Sequence, residues 1–175
     1  MAAATHVIVT RGLSAPTATI AQEAGVSNGS LFTYFETKAE LFNQLYLELK
    51  EEMATAAMKN LRRDAELSEQ FWHVWRNWMD WAVAFPQKRR ALAQLGVSDE
   101  ITPATRAAGH KTMAGIAELM ERARLNGSMR TVPMAFAGSI MNSVAESTMD
   151  YMVQDPKNAK KHCRAGFDAV WRMLE

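Results

Sequence analysis

The sequence predicts an all-α protein, in which an N-terminal three-helix module containing a helix-turn-helix is joined by a long helix to a larger helical domain. Apolar residues recur every three or four positions along most of the chain, which is the spacing of helices packed on one face. No segment shows the alternating, β-branched pattern of a strand. Hydrophobic residues make up 48% of the 175 residues, so a packed core can form. We expect about nine helices, with domains at residues 1–50 and 51–175.

Glycine, proline and capping residues predict where the first helices begin and end. Gly12 and Gly25 are placed to end the first and second helices, and Ser27 can cap the third. Residues 37–40 have the sequence Thr-Lys-Ala-Glu, which is a capping box. A long helix follows it and is expected to run to about Leu61.

The same signals divide the rest of the chain into further helices. Pro86 stops a fifth helix, and a prolyl residue also follows an N-capping side chain at two later helix starts. The later helices are expected over residues 71–85, from Pro86 to Gly96, from Thr102-Pro103 to near Asn126-Gly127, over 132–154 and over 157–174.

Composition excludes several classes of protein. Cys163 is the single cysteine, so no internal disulfide can form and a cytoplasmic location is expected. No run approaches the ~18 apolar residues of a membrane span, and the start lacks the pattern of a signal peptide. The sequence has no metal-binding or catalytic motif, and the adjacent His162 and Cys163 diverge on a helix. We therefore expect no membrane partner, no metal or other cofactor, and no enzymatic activity.

Residues 17–35 carry the pattern of a helix-turn-helix. Gly25 permits the positive φ of a tight turn between two short helices. Apolar residues are expected to pack the two helices together, with the small Ala21 allowing a close crossing and Val26 filling the angle between them: Ile20, Ala21, Ala24, Val26, Leu31 and Phe35. The outward residues of the second helix are small or polar, as entry into a DNA major groove requires. A plain helical hairpin, with Gly25 as an ordinary C-cap, is the alternative.

The charge of this segment gives no support for DNA binding. Residues 1–50 contain three basic and four acidic side chains and carry a net charge of −1, whereas nucleic-acid binders often show a basic stripe. The net charge of the whole chain is +1.

The order of residues from Ile20 to Leu41 resembles the N-terminal signature of the TetR family of repressors. The matching positions are Ile20-Ala21, Ala24-Gly25-Val26-Ser27, Gly29-Ser30-Leu31-Phe32, Tyr34-Phe35, Lys38 and Leu41. The resemblance implies a homodimeric transcriptional repressor, whose last helices form the dimer interface and whose larger domain binds a small molecule.

The resemblance also implies which residues contact DNA. Asn28 and Thr33 would read bases, while Tyr34 and Lys38 would hold phosphates together with the start of the helix after Thr37. The full set is Thr17, Ser27, Asn28, Gly29, Ser30, Thr33, Tyr34 and Lys38. This sequence departs from the family at Phe32, where a tyrosine is common, at Pro16, and in a first helix that begins almost at Met1 without a basic arm.

The predicted fifth helix is rich in tryptophan. Trp72, Trp75, Trp78 and Trp81 step by three, so they span half of the helix circumference and cannot share one face. The inward face is expected to consist of Phe71, Val74, Trp75, Trp78, Ala82 and Phe85, with Trp72 and Trp81 at its borders. One interpretation is a packed core. The other is a ligand cavity, because the chain also has twelve flexible, polarizable methionines.

Residues 81–94, 145–150 and 166–171 are similar to multidrug-responsive members of the TetR family. That likeness implies a cavity for an apolar or aromatic inducer. The candidate ligand-binding residues are Tyr46, Met53, Trp75, Trp78, Met113, Met141 and Val170. Met141 stands where those relatives have a stacking aromatic residue, and they have an acidic residue near Gly138 that this chain lacks, so a cationic ligand is not expected.

Small and apolar residues on the last two helices favour dimerisation. The candidate interface residues are Gly138, Ala145, Phe167, Trp171 and Leu174; packing within one chain is the alternative. Taken together, the sequence predicts a homodimeric repressor of a near-palindromic double-stranded DNA operator, released by a small apolar or aromatic molecule. The alternative is a helical module that binds a partner protein and whose helix-turn-helix is vestigial.

Overall fold

The computed structural model of the chain describes residues 1–125 and 127–175. Those residues form ten α-helices and one 3₁₀ turn and contain no strand, so the predicted all-α class is confirmed. The α-helices are α1 (Ala2–Arg11), α2 (Thr17–Glu23), α3 (Asn28–Tyr34), α4 (Lys38–Met58), α5 (Leu67–Ala84), α6 (Pro86–Gly96), α7 (Pro103–Thr112), α8 (Ala114–Arg124), α9 (Met134–Gln154) and α10 (Ala159–Leu174). The 3₁₀ turn, Pro156–Asn158, precedes α10.

The chain divides into two compact units, each built from two separate segments. The first unit consists of Met1–Glu52 and Phe85–Met113, and the second consists of Met53–Ala84 and Ala114–Glu175. The unit that holds the predicted helix-turn-helix therefore also contains α6 and α7, which the sequence had placed in the other domain.

Helix α1 forms the centre of the first unit, because it packs against both α2 and α6. Its inner face consists of Ala4, Val7 and Ile8, all of which are buried. Gly12 ends α1 with a φ of 80°, a left-handed conformation that glycine adopts at little cost. The predicted end of the first helix is confirmed.

Side-chain hydrogen bonds hold the loop between α6 and α7 in place within the first unit. Asn43 of α4 donates from Nδ2 to the carbonyl of Glu100 at 2.7 Å, and its Oδ1 accepts from the Thr102 amide at 3.0 Å. The guanidinium of Arg106 donates to the carbonyls of Gly96 at 2.6 Å and Ser98 at 2.7 Å. The bond from Arg106 to Gly96 satisfies a carbonyl at the end of α6 that has no partner inside the helix, and the others brace the loop that follows.

In the second unit, α5 packs against α8, α9 and α10. Four aromatic rings join α5 to α10: the Phe167 ring lies 5.1 Å from that of Trp72 and 6.3 Å from that of Phe71, and it stacks on Trp171 at 6.0 Å. Tilted and edge-on ring pairs at these separations are favourable beyond the area that they bury.

Three helices of the second unit approach closely at Gly166. A Cβ atom at this position would overlap Thr148 Oγ1 of α9 and lie 3.0 Å from Cζ2 of Trp75. The indole N–H of Trp75 donates to the carbonyl of Cys163 at 3.0 Å, and both residues are buried. Glycine is therefore required here by space, since the backbone of α10 lies against two side chains.

The buried face of α5 is wider than the sequence indicated. Trp81, expected at the border, is 5% exposed, and Met79 is completely buried, whereas Phe85, expected to point inward, is 44% exposed. The expectation for Phe85 is wrong. Because α5 has three helical neighbours in its unit, a broad arc of its surface is covered.

Three predicted helix boundaries also differ. Helix α5 begins at Leu67 and not at Phe71. Helix α4 ends at Met58 and not near Leu61, because Asn60 adopts a left-handed φ of 58°. The single helix expected from Pro103 is two helices, α7 and α8, because the Met113 amide donates to the carbonyl of His110 at 3.1 Å and closes the end of α7 with an i to i+3 bond. The predicted end near Asn126 lies outside the described residues.

Candidate nucleic-acid interface

The turn between α2 and α3 is a Schellman motif. The Val26 amide donates to the Ala21 carbonyl at 3.0 Å, and the Gly25 amide donates to the Gln22 carbonyl at 3.1 Å. Gly25 has a φ of 70°, as this motif requires. Val26 is 44% exposed, so the expectation that it fills the angle between the helices is wrong. The buried contacts of the two helices come instead from Ile20, Ala21 and Leu31.

Ser27 caps the start of α3. Its Oγ accepts from the Ser30 amide at 3.0 Å and lies 2.8 Å from the Ser30 hydroxyl. This bond satisfies one of the helix-start amides and stabilises a helix that buries a single residue, Leu31. Both serines are exposed, and their hydroxyls are committed to each other, so their first task is to hold α3 in shape.

The outer surface of α3 presents free polar groups. Asn28 is exposed and makes no side-chain hydrogen bond with any residue that the structure describes. Tyr34 is 78% exposed, and Thr33 is exposed with its hydroxyl donating to the Gly29 carbonyl at 3.3 Å. An asparagine amide can bind adenine through two hydrogen bonds. Asn28 is therefore the side chain best able to read a base edge.

Two further side chains flank this surface. Thr17 is half-buried at the first residue of α2. Phe32 is 42% exposed on α3, although the sequence had marked it only as a lost phosphate contact. An exposed phenyl group on such a helix can contact a thymine methyl group. Its place away from the face of Leu31 was visible in the sequence.

The start of α4 lies beside α3 in the chain and carries a cation. Lys38 is half-buried, and its Nζ lies 5.3 Å from the centre of the Phe42 ring, which restrains the ammonium. The Glu40 amide donates to Thr37 Oγ1 at 3.0 Å, as the capping box predicts. A capping box would have the Glu40 carboxylate accept from the Thr37 amide. It accepts instead from the amide of the preceding residue, Glu36, at 2.6 Å.

Charge in the first unit is balanced. The segment Phe85–Met113 adds five basic and two acidic side chains to those of Met1–Glu52, so the unit contains eight of each. The excess of acid in residues 1–50 is therefore offset by α6 and α7. The sequence could not show this, because the compensating charges lie far along the chain.

Comparisons with known proteins agree with this geometry. The family of bacterial regulatory proteins named tetR matches residues 1–45. A solved structure of a candidate tetR family transcription regulator from Shewanella sp. PV-4 is 27% identical, covers 97% of this chain and 93% of its own, and superposes with a TM-score of 0.86.

Residues 1–45 form a TetR-family domain. Two structures of lower identity share the fold of the whole chain. A TetR family transcription regulator from Marinobacter aquaeolei VT8 is 19% identical, covers 99% of this chain and 92% of its own, and has a TM-score of 0.86. The regulator FadR from Bacillus subtilis, solved with stearoyl-CoA, is 17% identical, covers 99% and 94%, and has a TM-score of 0.68.

The chain thus has the fold of a DNA-binding TetR-family transcription regulator. The proteins that it resembles are transcription regulators and not enzymes. These matches do not favour the alternative of a partner-binding module with a vestigial helix-turn-helix. Among residues 1–125 and 127–175, no cluster of metal-binding side chains occurs. Over the same residues, no helix is both long and apolar enough to cross a bilayer.

The candidate ligand-binding residues of this TetR-like chain lie in both units. Tyr46, buried, and Met113, half-buried, belong to the first unit. In the second unit, Trp75 and Trp78 meet edge to face with their ring centres 6.0 Å apart. Trp75 is 1% exposed and hydrogen-bonded, which favours the packed-core interpretation for that residue, whereas Trp78 is half-buried. The other candidates in this unit are Met53 and Val170, both buried, and Met141, half-buried.

The candidate dimer residues differ in exposure. Ala145, Phe167 and Leu174 are buried by helices of their own chain. Gly138 and Trp171 are half-buried, and a Cβ atom at Gly138 would meet no neighbour within 4 Å. The surface that α9 and α10 leave open is a groove of about 400 Å³. Its lining consists of Ser143, Val144, Ser147, Thr148, Tyr151, His162, Ala165 and Gly166.

One polar cluster lies at an end of this groove. His162 Nε2 is 3.0 Å from a carboxylate oxygen of Asp155, and Asn158 donates to the same oxygen at 2.9 Å. These bonds lower the pKa of Asp155, the bond from His162 most of all. The cluster fixes the turn between α9 and α10.

Proposed function

We propose that the chain is a homodimeric transcriptional repressor that binds a near-palindromic operator through α3 and is released by a small apolar or aromatic inducer in the cytoplasm. The observation that carries the proposal is α3 itself. It is a capped helix with one buried residue, and its free amide at Asn28 faces solvent. Small and polar side chains on an exposed helix after a tight turn are what entry into a major groove requires.

The division of roles on this surface can be tested with three variants. Lys38→Ala should weaken binding to every DNA sequence alike and reduce the slope of affinity against salt by about one unit, because one phosphate contact is lost. Asn28→Ala should instead relax the preference at one base by ~1–3 kcal/mol. Lys160→Ala, an exposed lysine of α10, is the matched control and should leave both quantities unchanged.

Fluorescence anisotropy with labelled DNA from upstream of the gene, repeated at several salt concentrations, gives both quantities. Should Lys38→Ala alter sequence preference and leave the salt slope as it was, the assigned roles would be wrong.

We place the dimer interface at the exposed groove between α9 and α10, since Ala145, Phe167 and Leu174 are already covered within the chain. The exposed side of α9 carries Phe136 at 54% and Tyr151 at 59% exposure, with Ser143 and Ser147 between them. Large exposed aromatic groups flanking small residues are typical of surfaces that pack against another helix pair.

Ser147→Arg tests this placement, because the position is exposed and a monomer should tolerate the side chain. Asn142→Arg, on the same helix but outside the groove, is the control. Analytical ultracentrifugation at micromolar concentration should show a dimeric wild type, a dimeric Asn142→Arg and a monomeric Ser147→Arg. A wild type that sediments as a monomer would refute the proposal.

The inducer is proposed to act through the second unit, where Trp78 is the partly exposed member of the candidate tryptophan pair and Met53, Met141 and Val170 are the apolar candidates. Trp78 touches Trp75, so a ligand stacked on Trp78 should quench indole fluorescence. Helix α4 runs without interruption from Lys38 to Met58, and it therefore carries both a candidate phosphate contact and Met53. The likeness of residues 81–94 to multidrug-responsive regulators supports an aromatic ligand, while FadR, seen with stearoyl-CoA, supports testing acyl ligands.

Thermodynamic linkage between inducer binding and operator binding determines which affinities are measured. A ligand that lowers operator affinity must itself bind more weakly, by the same factor, when operator is present, and ~1–3 kcal/mol of coupling gives a 5–150-fold effect. The planar dye ethidium and stearoyl-CoA are suitable probes. Trp78→Phe should lose the quenching and keep operator binding. The proposal fails if probes that quench the tryptophans leave operator affinity unchanged.

A further inference from the structure

Lys50 of α4 carries an uncompensated positive charge inside the first unit. Its side chain is half-buried, and its Nζ lies 5.8 Å from the centre of the Tyr46 ring, one turn earlier on the same helix. Within the part of the chain that the structure describes, Lys50 makes no hydrogen bond or ion pair. Burial lowers the pKa of its ammonium, and no neighbouring carboxylate opposes that shift.

The acidic residues that follow Lys50 do not supply a counter-charge. Glu52 binds Lys88 of α6, with Nζ to oxygen distances of 2.6 and 2.8 Å, and Glu51 is exposed. A partly buried lysine is usually paired, because removal of an ammonium from water is costly. The missing partner is therefore a feature to be explained.

A second cation lies on the same tyrosine. Arg106 of α7 lowers the pKa of Tyr46, against the larger, opposite effect of burial, so its positive field reaches the phenol. Arg106 donates to the carbonyls of Gly96 and Ser98 and pairs with no carboxylate among the described residues. The positive charges of Lys50 and Arg106 thus both act on Tyr46, and neither pairs with a carboxylate among the described residues.

The tyrosine hydroxyl itself is available. Tyr46 is 3% exposed, and its hydroxyl makes no hydrogen bond to the described residues. Among those residues, no side-chain oxygen is both fully buried and without a hydrogen-bond partner. The oxygen is therefore the part of the residue that remains accessible. Gly109 of α7 makes room for the ring, since a Cβ atom there would lie 2.8 Å from Tyr46 Cε1.

We propose that Lys50, Tyr46 and Arg106 form an anion-binding site within the first unit, for a carboxylate or a phosphate group. The ammonium and the phenol donate hydrogen bonds to the anion, and Arg106 adds its charge. All three residues belong to the first unit, so this inference goes beyond the inducer binding proposed for the second unit and adds an anionic ligand that the sequence did not predict.

The test compares three probes that each contain a ten-carbon chain: decanoate, decyl phosphate and the neutral decanamide. Isothermal titration calorimetry on the full chain should show that at least one anion binds and that decanamide binds about 10- to 100-fold more weakly, the range of a hydrogen bond to a charged group. The stronger of the two anions identifies the carboxylate or the phosphate as the natural group.

Variants assign the effect to these side chains. Lys50→Met should lose anion binding by about tenfold or more, Lys50→Arg should retain most of it, and Tyr46→Phe should show a smaller loss. Lys160→Met is the control and should bind as the wild type does. Lys50→Met should also raise the thermal midpoint of the ligand-free protein, because it removes an unpaired charge, while the anion no longer raises it further.

Operator binding is measured on the same samples without probe, so that the two proposals fail separately. A wild type that does not bind operator counts against the proposed repressor function. The calorimetry still tests the anion site in that case. The anion site is overturned if decanamide binds as tightly as the anions, if neither anion binds the wild type, or if Lys50→Met binds them unchanged.

Discussion

Asn43→Ala should loosen the first unit at one defined point. Asn43 makes two hydrogen bonds to the loop before α7, at 2.7 Å to the Glu100 carbonyl and 3.0 Å from the Thr102 amide. A typical intramolecular hydrogen bond contributes ~0.5–1.5 kcal/mol, so loss of the pair should cost ~1–3 kcal/mol. Asn43 is half-buried, and water can replace part of what is lost, so we expect the lower half of that range.

Amide hydrogen exchange is the assay, because it reports on Thr102 itself. In the wild type the Thr102 amide should be protected, and in Asn43→Ala its exchange should accelerate by about the factor of 5–30 that corresponds to 1–2 kcal/mol. Asn43→Asp keeps the acceptor for Thr102 and loses the Nδ2 donor to the Glu100 and Ala39 carbonyls, so protection of Thr102 should survive. Asn142→Ala, exposed and without a side-chain hydrogen bond to the described residues, should change nothing. Equal exchange of Thr102 in the wild type and in Asn43→Ala would refute the reasoning.

Three further predictions concern single residues. Gly25→Ala should destabilise the protein by ~1–2 kcal/mol in urea unfolding, because φ is 70° at this position. Gly138→Ala, on a helix with open space around it, should instead stabilise the protein by ~0.5–1 kcal/mol. Changes in stability of the same sign for the two variants would contradict this. Burial raises the pKa of Cys163 to about 11, so the native thiol should react with Ellman's reagent at pH 8 only as fast as the protein unfolds, and rapid reaction without urea would show the thiol to be accessible. Because folding lowers the pKa of Lys50, its charge should destabilise the protein at neutral pH, and stability should rise as pH increases toward 10.5. Lys50→Met should therefore be more stable than the wild type at neutral pH, and this difference, measured by urea titration, should shrink over that interval. A constant difference would mean that the pKa of Lys50 is not perturbed.

The sequence predicted the helix-turn-helix well because its signals are local. The left-handed Gly25, the Ser27 cap and the Thr37 cap each depend on residues within one or two turns, and all three are present in the structure. Val26 was misplaced, because an apolar side chain in a turn can point either way and the local sequence does not decide between them.

Features that depend on distant segments could not be predicted in this way. The width of the buried face of α5 depends on three packing neighbours, so Phe85 was wrongly placed inside. The inclusion of α6 and α7 in the first unit rests on bonds such as Asn43 to Glu100, 57 residues apart. The unpaired charge of Lys50 became visible only when the carboxylates around it could be assigned to other partners.

The central claim is that two copies of α3 read a near-palindromic operator. Its most direct test is selection of the full-length protein against a random DNA library, followed by sequencing of the enriched sites. The account predicts an inverted repeat whose half-sites lie about one helical turn apart, ~34–36 Å, or a multiple of it, with a preference at one position of each half-site that Asn28→Ala relaxes. Enrichment of no motif, or of a motif without twofold symmetry that Asn28→Ala leaves unchanged, would contradict it.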